Sequence, residues 1–201
     1  MEYSTIEAVL CDLDGVIYKD GKCIPDTLLL LEELEKLSIP IHFVSNTTTR
    51  TVSSICEKLS AFGVHVQEDQ VITPVSLALK YLKERQQTAY CLVNEELFSI
   101  FKDFHREEKP DWVLIGDIGN RWDADLMNSL FRHIRKGANI LALHKNRFAS
   151  QHGKAVLAIG AYITALEYAT NIQAIVLGKP STSFFELAID VTGSDLCIMF
   201  M

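Results

Sequence analysis

Short apolar runs alternate along the chain with stretches whose apolar residues recur at helical spacing. Residues 6–11 form an apolar run typical of a buried strand, and residues 25–37 place leucines on one face of a helix that begins at a proline. Residues 41–44 predict a second strand, and residues 49–62 predict a second helix that Gly63 would end. This strand–helix–strand–helix order indicates a parallel sheet covered by helices.

The same alternation continues through the rest of the sequence. Thr73 and Pro74 suit the N-cap and the first position of a helix, and residues 90–143 form a second α/β set of their own. Residues 14–22 and the charged residues 102–110 are predicted to be loops. The further predicted strands are 71–74, 90–93, 112–115, 140–143, 174–177 and 196–201, and the further predicted helices are 74–85, 95–104, 124–135, 161–169 and 183–191.

The bulk composition is that of an ordinary folded protein. The chain has 201 residues, of which 48% are hydrophobic and 22% charged, and this length fits one domain or a core with an insertion. The net charge of −7 and the lack of a basic stripe argue against nucleic acid as a partner. Because no apolar run approaches the roughly 20 residues that span a bilayer and no signal-peptide pattern opens the chain, we expect a cytoplasmic protein without a membrane partner.

Five cysteines are scattered along the sequence without a Cys-x-x-Cys pair. An odd and scattered set favours reduced, mostly buried thiols in a cytosolic protein over a disulfide framework or a zinc site. Cys11 stands out because Asp12 follows it. We expect the Cys11 thiol to pack behind that acid rather than to react.

Three predicted strands end in polar residues that suit a phosphate ester. Asp12 and Asp14 follow the first strand, Ser45 and Asn46 follow the second, and Lys179 follows the strand at residues 174–177. Parallel sheets bind ligands outside the carboxyl ends of their strands, so these side chains are candidates for one site.

Each pattern has a plainer interpretation when it is taken alone. The Asp-x-Asp-Gly stretch also suits a calcium-type or capping loop, Ser45 suits an N-cap or a turn, and Gly178-Lys179-Pro180 suits a turn. Their order along the chain, each after an apolar strand, favours a phosphate site instead.

The residue types match a known chemistry. A carboxylate such as that of Asp12 can attack phosphorus and form an aspartyl phosphate, and Asp14 can protonate the leaving alkoxide and then deprotonate water. A hydroxyl and a lysine can hold the phosphoryl oxygens and offset their charge. Clustered acids beside a phosphate also suit a divalent cation, and hard oxygen ligands favour Mg²⁺.

The motifs together resemble those of the haloacid dehalogenase-like hydrolases. DLDGV at residues 12–16, FVSN at residues 43–46 and LGKP at residues 177–180 are similar to the family's first three motifs, and the resemblance covers residues 6–198. The insertion between the second and third motifs is similar to the α/β cap of subclass IIA. That subclass includes the NagD-like phosphatases and those similar to phospholysine phosphohistidine inorganic pyrophosphate phosphatase.

The resemblance implies a Rossmann-like parallel core at residues 1–74 and 161–201, with an inserted α/β cap at residues 75–160. It implies a magnesium-dependent phosphatase that acts on a small phosphorylated metabolite or phosphoamino acid, and a homodimer formed through the cap. The implied roles are nucleophile and Mg²⁺ ligand for Asp12, general acid/base with a metal-binding backbone carbonyl for Asp14, phosphate binding for Ser45 and Asn46, and charge neutralisation for Lys179.

A basic loop follows a predicted cap strand. His144, Lys145 and Arg147 are candidates to contact an anionic leaving group, although a solvated loop would have the same composition. A second, weaker set of candidates to line the substrate-facing side of the predicted cap is Asp117, Asn120, Arg121 and Asp123.

The sequence departs from the family at the fourth motif, an acidic pair after the next core strand. Residues 196–201 read LCIMFM and contain no acid, so the core is expected to be C-terminally incomplete. One explanation is a truncated or alternatively spliced product of a longer phosphatase, and another is a short protein that keeps phosphate affinity. Both lead us to expect weak Mg²⁺ binding and weak or lost phosphatase activity. The alternative function is a non-catalytic phosphate-binding or interaction protein on the same fold, while a related transferase or phosphonatase is less favoured.

Overall fold

The structure is a computed structural model that describes residues 6–19, 21–151, 153–194 and 197–200. None of the helices in these ranges combines the length and the apolar character that crossing a bilayer requires. The strands are β1 Ala8–Asp12, β2 Tyr18–Lys19, β3 Lys22–Cys23, β4 Ile41–Val44, β5 Val71–Ile72, β6 Ala89–Leu92, β7 Trp112–Ile115, β8 Asn139–Ala142, β9 Phe148–Gln151, β10 Lys154–Leu157, β11 Ile175–Val176 and β12 Cys197–Phe200. The α-helices are α1 Pro25–Lys36, α2 Val52–Ser60, α3 Pro74–Arg85, α4 Glu95–Phe101, α5 Ala124–Arg135, α6 Ile159–Thr170 and α7 Thr182–Thr192.

The chain divides into two compact units. Unit 1 comprises the described residues within 1–46, 52–73 and 185–201, and unit 2 comprises those within 47–51 and 74–184. The sequence assigned residues 161–184 to the core, whereas the structure keeps them in unit 2. The physical reason is that β11 pairs with β8 and that α6 packs on the apolar core of unit 2.

Unit 1 is built on a parallel sheet in the order β12-β1-β4-β5. Strand β1 is central, and Leu10 lies between Met199 of β12 and His42 of β4. None of the residues at positions 8–11 is more than 3% exposed. Because both faces of the strand are covered, its apolar run shows no alternation with polar residues.

Two helices cover one face of this sheet. Leu31 of α1 and Ile55 and Leu59 of α2 share an apolar core with Phe43 of β4. Helix α1 begins at a proline, as predicted, and Gly63 after α2 adopts a left-handed φ of +85°, the conformation that its predicted helix-ending role requires.

Unit 2 has a second parallel sheet, in the order β11-β8-β7-β6. Helices α5 and α6 pack on it through buried residues that include Leu130, Ile134 and Ile163. The predicted bounds of α5 agree with the structure, because the Asp123 side chain caps the helix by accepting the Leu126 backbone N–H at 2.8 Å.

Three local features differ from the sequence-based expectations. Helix α2 begins at Val52 rather than at residue 49, because Thr51 donates its backbone N–H to Glu96 and the Thr49 carbonyl accepts from Asn94. The β9–β10 hairpin was not predicted, since its described side chains are largely exposed and show no apolar alternation. The predicted loop at residues 14–22 contains the short β2–β3 hairpin.

The unit 1 core provides a test of the packing. Leu59→Ala removes a side chain that is 0% exposed, so we expect the free energy of unfolding to fall by about 2–5 kcal/mol in a urea titration. Leu29→Ala, at an α1 position that is 61% exposed, is the matched control and should change it by about 0.5 kcal/mol or less. Equal losses in the two variants would contradict the assigned packing.

Candidate active site

Asp12 is the last residue of β1 and is half-buried. Its Oδ1 accepts the backbone N–H of Leu13 at 2.8 Å, which fixes the direction of the carboxylate. The chain then turns at Gly15, whose φ is +87°, and the Gly15 N–H donates to the Tyr18 carbonyl at 2.7 Å. This turn leaves Asp14 exposed to solvent, at the place where the strand opens.

Ser45 and Asn46 follow the neighbouring strand. Asp12 is in register with Val44, the last residue of β4, so the two strands end at the same edge of the unit 1 sheet. The Ser45 N–H donates to the Ile72 carbonyl at 3.0 Å, and the residue is 1% exposed. The structure therefore brings Asp12, Ser45 and the residues next to them to one sheet edge, where parallel α/β proteins bind ligands.

Lys179 lies in a turn after a strand of unit 2. It follows β11, which pairs with β8 in unit 2, and so it does not extend a strand of the unit 1 sheet. Within unit 2, the half-buried Lys179 lines a cavity of about 430 Å³ with Lys145, Ser181 and Ser183. The Ser181 hydroxyl donates to the Val176 carbonyl at 2.7 Å, which helps to hold this turn.

The thiol beside the nucleophile candidate is inert. Cys11 is 1% exposed, and burial raises the pKa of its thiol to about 11, with the Asp12 carboxylate adding to the rise. A thiol with this pKa stays protonated at neutral pH and is a poor nucleophile. Cys11 therefore packs behind the acids, as the sequence led us to expect.

The donor atoms at this edge fit Mg²⁺ in kind but not in number. Asp12 and Asp14 offer carboxylate and carbonyl oxygens, which are the ligands that a hard cation prefers. Among the residues that the structure describes, no three His, Cys, Asp or Glu side chains gather closely enough to hold a metal ion.

The basic loop after β8 is engaged mainly within unit 2. The Lys145 Nζ donates to Glu167 Oε2 at 2.5 Å, and the other oxygen of this buried carboxylate accepts the Ala174 N–H at 2.9 Å. His144 is 5% exposed and bonds to Asp117, while Arg147 is exposed. Of the three predicted leaving-group contacts, two thus have internal partners.

Asp117 is a functional candidate that the sequence marked only weakly. It follows β7, and its Oδ2 accepts hydrogen bonds from the Thr48 hydroxyl and from His144 Nε2, the latter at 3.0 Å. Burial would raise the pKa of Asp117, but the hydrogen bonds from His144 and Thr48 outweigh that effect and lower it below the ordinary value of 3.8. Residues 48, 117 and 144 are far apart in the sequence, and only the folded sheet brings them together. No sequence motif therefore predicts their contact.

Comparison with known proteins gives the site its context. Residues 9–107 match the family profile described as haloacid dehalogenase-like hydrolase. Haloacid dehalogenase-like hydrolase domain-containing protein 2 from Homo sapiens is 31% identical over 190 residues, which are 94% of this chain and 73% of that protein. Phospholysine phosphohistidine inorganic pyrophosphate phosphatase from Xenopus laevis is 30% identical over 197 residues, covering 94% of this chain and 72% of that one.

Solved structures share the fold. The p-nitrophenyl phosphatase from Archaeoglobus fulgidus superposes with a TM-score of 0.86 at 23% identity, over 96% of this chain and 77% of that chain. A double mutant of the thermostable NPPase from Geobacillus stearothermophilus gives a TM-score of 0.82 at 22% identity, over 97% of this chain and 80% of that chain. These structures thus share the α/β fold with this chain. The 31% identity to the relative from Homo sapiens, over 94% of this chain, shows that the chain belongs to the haloacid dehalogenase-like hydrolase family.

The ion pair between Lys145 and the buried Glu167 can be tested by a conservative substitution. Glu167→Gln removes the charge from a side chain that is 6% exposed and leaves Lys145 without its charged partner, so we expect the free energy of unfolding to fall by about 1–3 kcal/mol. Glu33→Gln breaks the Lys36–Glu33 pair, in which both side chains are about two-thirds exposed, and should cost about 0.5 kcal/mol or less. Similar losses in the two variants would show that Glu167 is not structural.

The lowered pKa of Asp117 predicts a pH-dependent contribution to stability. Because the folded pKa lies below the unfolded one, the contribution is present above about pH 4 and is lost as the pH falls through the folded pKa. The difference in unfolding free energy between the wild type and Asp117→Asn should be about 1–2 kcal/mol near neutral pH and should shrink under acid. Asp103→Asn, at an exposed position, is the control and should give a small difference. A difference for Asp117→Asn that stays constant from neutral to acid pH would contradict the assignment.

Proposed function

We propose that the chain hydrolyses a small phosphate monoester with Asp12 as the nucleophile. The observation that carries this proposal is the position of Asp12 at the end of a fully buried strand, in register with the residue that precedes Ser45 and Asn46. A carboxylate, a hydroxyl and an amide at one sheet edge suit attack on phosphorus and binding of its oxygens. Membership in a hydrolase family supports the same reaction type.

The proposed reaction has two steps. An Asp12 oxygen bonds to phosphorus while the bond to the ester oxygen breaks, and Asp14 donates a proton to the departing alkoxide. Water then attacks the aspartyl phosphate and gives its proton to Asp14, which releases inorganic phosphate and restores the Asp12 carboxylate. The exposure of Asp14 is consistent with proton exchange with solvent.

Ser45 and Asn46 would bind phosphoryl oxygens during both steps. The assignment of Lys179 to charge neutralisation is supported by its place in the family motif LGKP. Mg²⁺, when bound by the Asp12 carboxylate and the Asp14 carbonyl, would offset negative charge on the phosphoryl group. We propose that it binds weakly and that turnover is slow, because residues 197–200 of β12 provide no acid beside β1.

The substrate class is proposed from the relatives. One is named for phospholysine, phosphohistidine and inorganic pyrophosphate, and solved structures of the same fold are named for p-nitrophenyl phosphate. These names support a small phosphorylated metabolite or phosphoamino acid as the substrate of this chain. Homodimerisation through the predicted cap and a cytoplasmic location stay predictions from the sequence.

Hydrolysis of p-nitrophenyl phosphate with Mg²⁺ tests the proposal. We expect a slow rate above the buffer background, which EDTA removes. Asp12→Asn should reduce this rate to the background, and Asp14→Asn should lower it by about 100-fold or more, because the leaving group then lacks its acid.

Asp103→Asn is the matched control, since it makes the same change at an exposed acid outside the site. Its rate should equal that of the wild type. A wild-type rate that survives Asp12→Asn would contradict the assigned nucleophile. Binding of inorganic phosphate by a wild type without any turnover would favour the alternative of a non-catalytic phosphate-binding protein.

A further inference from the structure

Residues 47–51 continue directly from Ser45 and Asn46, and three of their hydrogen bonds are made within unit 2. The Thr48 hydroxyl donates to the Asp117 carboxylate. The Thr49 carbonyl accepts from Asn94 Nδ2 at 2.9 Å, and the Thr51 N–H donates to Glu96 at 3.3 Å. This short segment, which we call the tether, is therefore fixed by side chains that follow β6 and β7.

The contact between Thr48 and Asp117 is the least exposed of these three. Thr48 is 4% exposed and Asp117 is half-buried, whereas the bonds from Asn94 and to Glu96 lie at the surface. A hydrogen bond to a charged acceptor is stronger than a neutral one, and a less exposed bond is screened less by water. Of these three contacts, the one to Asp117 therefore contributes most to holding the tether.

The Asp117 carboxylate is itself oriented by His144. The Asn146 backbone N–H donates to His144 Nδ1 at 3.2 Å, which leaves the proton on Nε2, where it donates to Asp117 at 3.0 Å. The loop that carries His144 has little room to move, because a Cβ on Gly160 would come within 2.4 Å of the Asn146 carbonyl oxygen. The geometry therefore fixes the position of Asp117 Oδ2 before any ligand binds.

We propose that Asp117 is a positioning residue that, through the Thr48 hydroxyl, holds the backbone leading from Ser45 and Asn46 in its phosphate-binding conformation. Asp117 does not contact the phosphoryl group in this proposal. It reduces the ordering that Ser45 and Asn46 must undergo when phosphate binds, so its effect is on preorganisation. The inference rests on the phosphate-binding role proposed above for these two residues.

Amide hydrogen exchange of the peptide that contains residues 45–51 tests the tether without substrate. In Asp117→Asn we expect exchange to be about 5–30-fold faster, which corresponds to about 1–2 kcal/mol of lost local stability. Asp111→Asn is the matched control, because Asp111 accepts the Thr88 hydroxyl at 2.8 Å in a comparable pair away from the tether. It should leave this peptide unchanged.

Substitutions at Thr48 give a second test that does not alter the acid. Thr48→Val keeps the side-chain shape but lacks the hydroxyl, so its exchange rate in the peptide of residues 45–51 should match that of Asp117→Asn. Thr48→Ser keeps the hydroxyl, and its exchange rate should stay within about threefold of the wild type. The double variant Asp117→Asn/Thr48→Val should be no worse than Thr48→Val alone, because Asp117 acts on the tether only through the Thr48 hydroxyl.

Two further measurements test the effect on the site: a binding titration with inorganic phosphate, and the kinetics of p-nitrophenyl phosphate hydrolysis. The dissociation constant for phosphate and the KM should each rise by about tenfold in Asp117→Asn, with a smaller change in kcat. Unchanged exchange in Asp117→Asn would overturn the proposal. So would a loss of activity with normal exchange and normal phosphate binding, which would indicate a direct substrate contact. A wild type that does not hydrolyse the ester would count against the proposed reaction, while the exchange result would still decide on the tether.

Discussion

The burial of β1 on both faces is the constraint on which the candidate site depends. Strand β1 pairs with β4 on one side and β12 on the other, and Leu10 is aligned with a residue in each. Residues 8–11 are apolar on both faces, so the polar end of the strand is what opposes a slip: moving Asp12 inward would bury its carboxylate among apolar side chains. Because the register is fixed, Asp12 is held at the carboxyl edge beside the end of β4.

Two acids, the buried Glu167 and the half-buried Asp117, organise the polar part of unit 2. Glu167 binds Lys145 and the backbone of residue 174, and Asp117 binds His144 and Thr48. The loop after β8 is therefore held at two successive residues. This explains why a loop whose composition suggested substrate contact uses most of its polar groups to maintain its own shape.

The sequence predicted the parts of the fold that leave a periodic signal. The buried strands at β1, β4 and β7 and the amphipathic helix α5 agree closely with the structure. The β9–β10 hairpin could not be predicted, because strands with exposed side chains on both faces need not alternate apolar with polar residues. The sequence grouped the strand before Lys179 with the core, whereas the structure pairs β11 with β8 of unit 2. Strand order is a non-local property, and a two-residue strand such as β11 does not indicate which sheet it joins.

The same limit applies to the candidate site. Asp12, Asp14, Ser45 and Asn46 were predictable because each follows a buried strand directly in the sequence. The bond between Thr48 and Asp117 joins residues 69 positions apart, and Glu167 lies in a helix whose neighbours are apolar. Sequence spacing contains no signal for such contacts, since only the packed sheet brings them together.

The central claim, that Asp12 is the nucleophile, is tested most directly by locating a trapped covalent intermediate. Protein incubated with acetyl phosphate and Mg²⁺, quenched in acid and analysed by peptide mass spectrometry should carry a hydroxylamine-sensitive phosphoryl group on Asp12. We expect the adduct to accumulate further in Asp14→Asn, because the base that activates water is lost, and to be absent in Asp12→Asn. A phosphoryl group on another residue, or an adduct that persists in Asp12→Asn, would contradict the account.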